Sequence, residues 1–167
     1  FGEYSTLYSY ICDKFYASYM IKFSCKDIDF NLSSQKVLKE WIKKIISSHS
    51  LKVGDINYLL TNDEEVLQVN RQFLGHDYYT DIITFDTSDY GFAAEGDDKI
   101  SGDIVISIDT VRENAITYGA TFEEELHRVI IHGILHLIGY DDHEEEDIAQ
   151  MREQENLALK ILSEYES

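Results

Sequence analysis

Residues 132–143 read HGILHLIGYDDH, so three histidines fall within twelve positions, and His132 and His136 stand four apart. On a helix that spacing is about one turn, which aims two imidazoles at one ion from the same face. The surrounding Leu126, Val129, Ile130, Ile131, Ile134, Leu135, Leu137 and Ile138 leave almost no polar side, as in a helix buried around most of its circumference. Two imidazoles in so apolar a setting need polar partners that the neighbouring sequence does not offer, and a shared cation meets that need. His143 becomes a third ligand once Gly139, placed as a left-handed helix terminus, turns the chain back. Three protein ligands with an open fourth position are the catalytic arrangement of zinc. Such an ion lowers the pKa of a water to about 7 and polarises a carbonyl or phosphoryl oxygen. One Zn2+ and hydrolysis are therefore expected, although three histidines also accept nickel, copper or iron. His127 lies well round the helix from the metal face and is expected to be structural or exposed.

The zinc-protease helix reads His-Glu-x-x-His, with the glutamate as general base. Here Gly133 holds that position, so a peptidase would lack its usual base. As a mid-helix glycine it costs up to about 1 kcal/mol relative to alanine, which predicts a close neighbour or a substrate beside the first ligand.

HGILHLIGYDDH resembles the signature H-G-x-L-H-L-x-G-Y-D-H of the YbeY family, single-domain bacterial endoribonucleases and ribosomal RNA maturation factors. Two further segments agree. Thr80, Asp81, Ile82, Ile83, Thr84 and Phe85 resemble the family's T-[DN]-V-L-S-F, and Gly102, Asp103, Ile104, Val105 and Ile106 resemble its G-D-I-x-I strand. The similarity extends from Met20 to the end of the chain. It implies a zinc-dependent endoribonuclease domain over residues 20–167, with His132, His136 and His143 as zinc ligands. The implied activity is single-strand-type RNA phosphodiester cleavage in rRNA maturation and ribosome quality control.

Two departures accompany the resemblance. The family has one aspartate between the tyrosine and the last histidine, whereas this chain has Asp141 and Asp142. A loop absorbs an extra residue more readily than a helix, so His143 remains the expected third ligand, with either aspartate as an oxygen alternative. Asp141 is also the candidate general base, or the group that orients a ligand histidine. Many members carry an arginine directly after an aromatic residue in the segment before position 80; here Phe73 is followed by Leu74. Arg71, on the same predicted helix, is the candidate to reach a phosphate instead.

Composition sets bounds. The 167 residues correspond to one domain, and no apolar run approaches the length of about 20 that spans a bilayer. A soluble, cytoplasmic protein without membrane attachment is expected. Cys12 and Cys25 show neither metal spacing nor disulfide density and are expected to be free thiols. A formal net charge of −18, from 14 basic and 32 acidic residues, is unusual for an RNA enzyme, because phosphate contacts normally supply much of the affinity. RNA binding would then use the metal, a delivering protein, or a local groove drawing on Lys36, Lys39, Lys43, Lys44 and Lys52. The acidic surface suits contact with basic ribosomal proteins. Two other functions compete: a zinc hydrolase of peptide or amide substrates, and a non-catalytic ribosome assembly factor whose structural zinc would be closed by a fourth protein ligand.

The elements that must position the histidines follow from periodicity. Residues 20–25, 53–61, 80–85 and 100–109 read as strands. Helices are predicted from Ser33 as N-cap to residue 48, after an Asn62 or Asp63 cap, and from an Asp109 or Thr110 cap to residue 118. The histidine helix begins at a Thr121–Glu124 capping box, and a last helix runs to residue 165 behind the acidic residues 144–147. Together these predict an α+β single domain, a small mixed β-sheet packed by helices with the histidine helix buried at its centre. The polar stretch 86–99 is a candidate substrate-gating loop. Residues 1–19, with seven aromatics, are set apart as an N-terminal extension or an expression remnant.

Overall fold

The computed structural model describes residues 20–88 and 98–166. The N-terminal extension and the middle of the candidate gating loop, together with the expectations attached to them, lie outside the described residues. So does Cys12, whereas Cys25 is a free, exposed thiol.

Strands β1 (Ile21–Cys25), β2 (Lys52–Thr61), β3 (Ile82–Asp86) and β4 (Lys99–Ser107) form one sheet in the order β1-β2-β4-β3. β1 and β4 each pair with β2 in parallel, and β3 pairs antiparallel with β4, so the small sheet is mixed, as expected. Side chains alternate between its faces. Ile56, Tyr58, Leu60, Ile104 and Ile106 point into the main core, where they meet α1 (Gln35–Ser48), α4 (Phe122–Ile138) and α5 (Glu145–Tyr165). Val105 and Ile83 face the other way and pack with Val66 of α2 (Asp63–Leu74) in a smaller cluster. Helix α3 (Ile108–Tyr118) follows β4 directly and packs along α4. The fold is α+β, and α4 sits at its centre in contact with β3, β4, α1, α3 and α5.

Local signals explain most boundaries. Asn62 caps α2 by accepting from Glu65 N at 2.9 Å, and Thr121 and Glu124 form the expected capping box. Two expected caps are corrected. Helix α1 starts after Ser34, which takes a left-handed conformation and makes no side-chain cap, rather than after Ser33. Helix α3 is capped by Ser107, whose hydroxyl accepts from Thr110 N at 3.2 Å, so β4 ends two residues earlier than expected. Asp109 instead accepts from Asp63 N at 3.1 Å, which joins the starts of α2 and α3. His127 proves buried, with its ring edge-on to Trp41 at 6.3 Å.

Gly133 has a packing role. A Cβ there would lie 3.0 Å from Ile104 Cδ1 and 3.1 Å from Ile82 Cδ1, so the missing side chain lets α4 settle directly on β4 and β3. The neighbour predicted beside the first histidine is the sheet itself.

Candidate metal centre and active site

Helix α4 delivers the histidine pair. The Nε2 atoms of His132 and His136 approach to 3.0 Å, with ring planes at 82°. Behind each ring the other nitrogen is engaged. His132 Nδ1 donates to Glu155 Oε2 at 3.1 Å, and His136 Nδ1 donates to the Tyr140 carbonyl oxygen at 3.0 Å. A carboxylate and a carbonyl only accept, so both neutral rings carry their proton on Nδ1 and turn bare Nε2 lone pairs toward one point. Asp142 Oδ2 joins them, 3.3 Å from His132 Nε2 and 3.4 Å from His136 Nε2. Three acceptor atoms within 4.8 Å of one another repel unless a cation lies among them. Two imidazoles and a carboxylate are a donor set that zinc accepts, so the residues present fit the expected ion.

The surroundings reinforce this demand. Burial disfavours a charged His132, yet Glu155, Asp142 and Asp81 outweigh it and raise its pKa above the usual histidine value. The field at that ring therefore favours positive charge. Glu155 is held in turn by Arg128 at 3.1 Å and Arg152 at 3.5 Å. Burial pushes its pKa up, but hydrogen bonds from His132 and Arg128 and the charge of Arg152 prevail and keep it ionised. On the His136 side, Gly139 ends α4 at φ 123° and starts the turn that returns the Tyr140 carbonyl to the ring. The Tyr140 hydroxyl donates to His49 Nε2 at 3.1 Å, and His49 Nδ1 donates to the Ile45 carbonyl at 2.9 Å, which ties the loop to the end of α1.

The pair opens into a cleft that is also lined by Asn70, His76, Tyr78 and Thr80. A second recess is lined by Asn114, Tyr118, Arg128 and Arg152, and Asp81, His132 and Asp142 border both. Burial raises the Asp81 pKa, and the electrostatic interaction with the nearby His132 opposes part of that rise.

The predicted site residues fall into two sets. His132 and His136 converge, and Asp142 is the third group beside them. His143 lines the same cleft but its side chain is 81% exposed, with Nε2 3.3 Å from Asp141 Oδ1. It belongs to an adjoining group of Asp141, Asp142 and His143 that shares Asp142 with the first. Asp141 also accepts from Asp142 N at 2.8 Å. Arg71 is ion-paired with Asp77 and is not part of the cleft wall, whereas Leu74 is. The five lysines line neither recess; Lys43 pairs with Glu40 and Lys44 lies 5.5 Å from the Tyr165 ring centroid. Sequence reasoning missed Glu155, Asp81 and His49. Glu155 had a signal, since it interrupts the buried stripe of Met151, Ala158 and Leu162 on α5 with a charge.

A family model described as endoribonuclease YbeY matches residues 20–163. The chain belongs to the YbeY family. An endoribonuclease YbeY from Parabacteroides distasonis is 49% identical over 144 residues, which span 86% of this chain and 96% of the relative. Another, from Bacteroides thetaiotaomicron, is 51% identical over 122 residues, 73% of this chain and 84% of that one. Among solved structures, a solution structure of a Thermotoga maritima protein superposes with a TM-score of 0.57 at 30% identity and covers 88% of this chain and 92% of its own. The YbeY match takes in the whole described sheet and the histidine helix. It ends inside α5, beyond Glu155.

Proposed function

We propose that this YbeY family member is a zinc-dependent endoribonuclease that cleaves single-stranded segments of ribosomal RNA precursors in the cytoplasm, with residues 20–167 as its catalytic domain. The observation that carries the reading is the convergence of two histidine lone pairs and a carboxylate on one point at the wall of an open cleft.

His132 and His136 hold the ion, and the third place falls to His143 or Asp142. A zinc ion bound there supplies Lewis acidity toward a phosphoryl oxygen and acidifies a water. Glu155 fixes the His132 ring and its tautomer, and the Tyr140 carbonyl does the same for His136. Asp141, exposed beside His143, takes a proton from the attacking group or orients that histidine. Arg71 reaches the substrate phosphate after exchanging its Asp77 partner. Acidic surfaces away from the cleft dock basic ribosomal proteins that present the RNA. No described helix is long and apolar enough to cross a membrane.

The test is His136→Ala, followed by zinc per chain from elemental analysis and by cleavage of a single-stranded rRNA fragment. Both are expected to be lost; cleavage that persists without zinc overturns the proposal. Asp142→Ala and His143→Ala, assayed side by side, identify the third ligand as the one whose removal weakens zinc binding.

A further inference from the structure

The chain exposes a run of large apolar and aromatic side chains, of which Leu74 and Tyr78 line the cleft. Phe73, Leu74, Tyr78 and Tyr79 are 63%, 44%, 55% and 57% exposed, and they belong to the end of α2 and the loop that leads to β3. Two rings in this segment are stacked. His76 and Tyr78 lie with centroids 5.2 Å apart and planes at 21°, joined by a 3.0 Å hydrogen bond between the Tyr78 hydroxyl and His76 Nδ1. Both line the cleft that holds His132 and His136.

The platform is fixed from below. Asn70, 1% exposed, donates from Nδ2 to the Tyr78 carbonyl at 2.9 Å, and its own carbonyl accepts from His76 N at 3.1 Å. The loop is thus held by a buried asparagine while its rings stay in solvent. Exposed rings held rigid, with their faces not consumed by the core, are suited to a flat partner.

Charge narrows the partner's mode of binding. The same cleft carries Asp81, Asp86, Asp141 and Asp142, and none of the lysines on α1 lines it. Phosphates approaching this wall meet like charge, so attraction must come from the bound cation and from uncharged surface. Nucleobases in single-stranded RNA present π-faces that aromatic side chains and imidazoles stack on without regard to phosphate charge.

Resting on the endoribonuclease reading above, we infer that the His76–Tyr78 pair is a nucleobase-stacking subsite that seats an unpaired base of the RNA next to the metal centre. The subsite takes one base, acts on substrate binding rather than on the chemical step, and excludes duplex RNA because paired bases keep their faces covered.

The test uses the zinc-loaded full chain and a single-stranded oligoribonucleotide carrying 2-aminopurine, together with an abasic strand of equal length. Tyr78→Ala should raise KM for the oligoribonucleotide about 10-fold, leave kcat within about 2-fold, and abolish the quenching of 2-aminopurine on binding. Tyr78→Phe, which keeps the ring, should restore both values. The wild-type chain should bind the abasic strand as weakly as Tyr78→Ala binds the normal one. An unchanged KM in Tyr78→Ala, or equal affinity for the abasic strand, overturns the subsite while cleavage by the wild type leaves the endoribonuclease reading intact. Absence of cleavage by the wild type overturns that reading itself.

Discussion

Glu155 shows how much of a metal site lies outside its ligands. Its carboxylate sets which nitrogen of His132 carries the proton, and Arg128 and Arg152 keep it charged in a nearly dry setting. Glu155→Ala is expected to weaken zinc binding about 10–100-fold in chelator competition, and Glu155→Gln, which retains an accepting oxygen, by less. Equal affinity in all three proteins would remove its orienting role. The histidine pair was legible because both members lie on one helix, where spacing alone determines proximity. Glu155 reaches His132 across a helix–helix contact, and no local period records which side chains meet there. The loop after α4 was legible only in part. The extra aspartate was seen to unsettle the third ligand, yet whether the chain presents an imidazole or a carboxylate depends on how Gly139 and Tyr140 aim the turn.

At the scale of elements, the seat of α4 on the sheet controls where the imidazoles emerge. Gly133→Ala improves helix propensity by up to about 1 kcal/mol but forces a methyl group against Ile104 and Ile82, an overpacking of about 1–3 kcal/mol. A net destabilisation of about 1 kcal/mol is expected from the urea midpoint, with weaker zinc binding as α4 lifts. A more stable variant would mean that the isoleucines yield freely. Caps formed within four residues, such as Asn62 and the Thr121–Glu124 box, could be read from sequence. The start of α3 could not. Asp109 is as good a capping residue as Ser107, but Asp63 N, 46 positions away, engages it. Strand order was hidden for the same reason: the pairing of Ile56 with Gly102 and of Ile83 with Val105 is decided by distant partners.

For the whole molecule, the core does not depend on the site. Trp41, Ile42, Tyr58, Ile104, Ile130 and Ile134 are fully buried without contribution from a metal, so the metal-free chain should stay folded. With zinc at a hundred times its Kd the folded state gains about 2.7 kcal/mol. Chelation should therefore lower the thermal midpoint by about 5–10 °C for a domain of this size. Calorimetry with and without EDTA checks this, and collapse of the native state on chelation would instead mark the ion as a structural part. The charge of −18 forecast tension with an RNA substrate, and the absence of α1 lysines from the cleft sharpens it. The link between α4 and α5 also has a temporal side. During synthesis the histidine pair leaves the ribosome before Glu155; the Tyr140 carbonyl follows His136 at once, whereas His132 waits for the carboxylate that fixes its tautomer. Full zinc affinity is thus reached only after α5 has docked on α4 and brought Glu155 to His132.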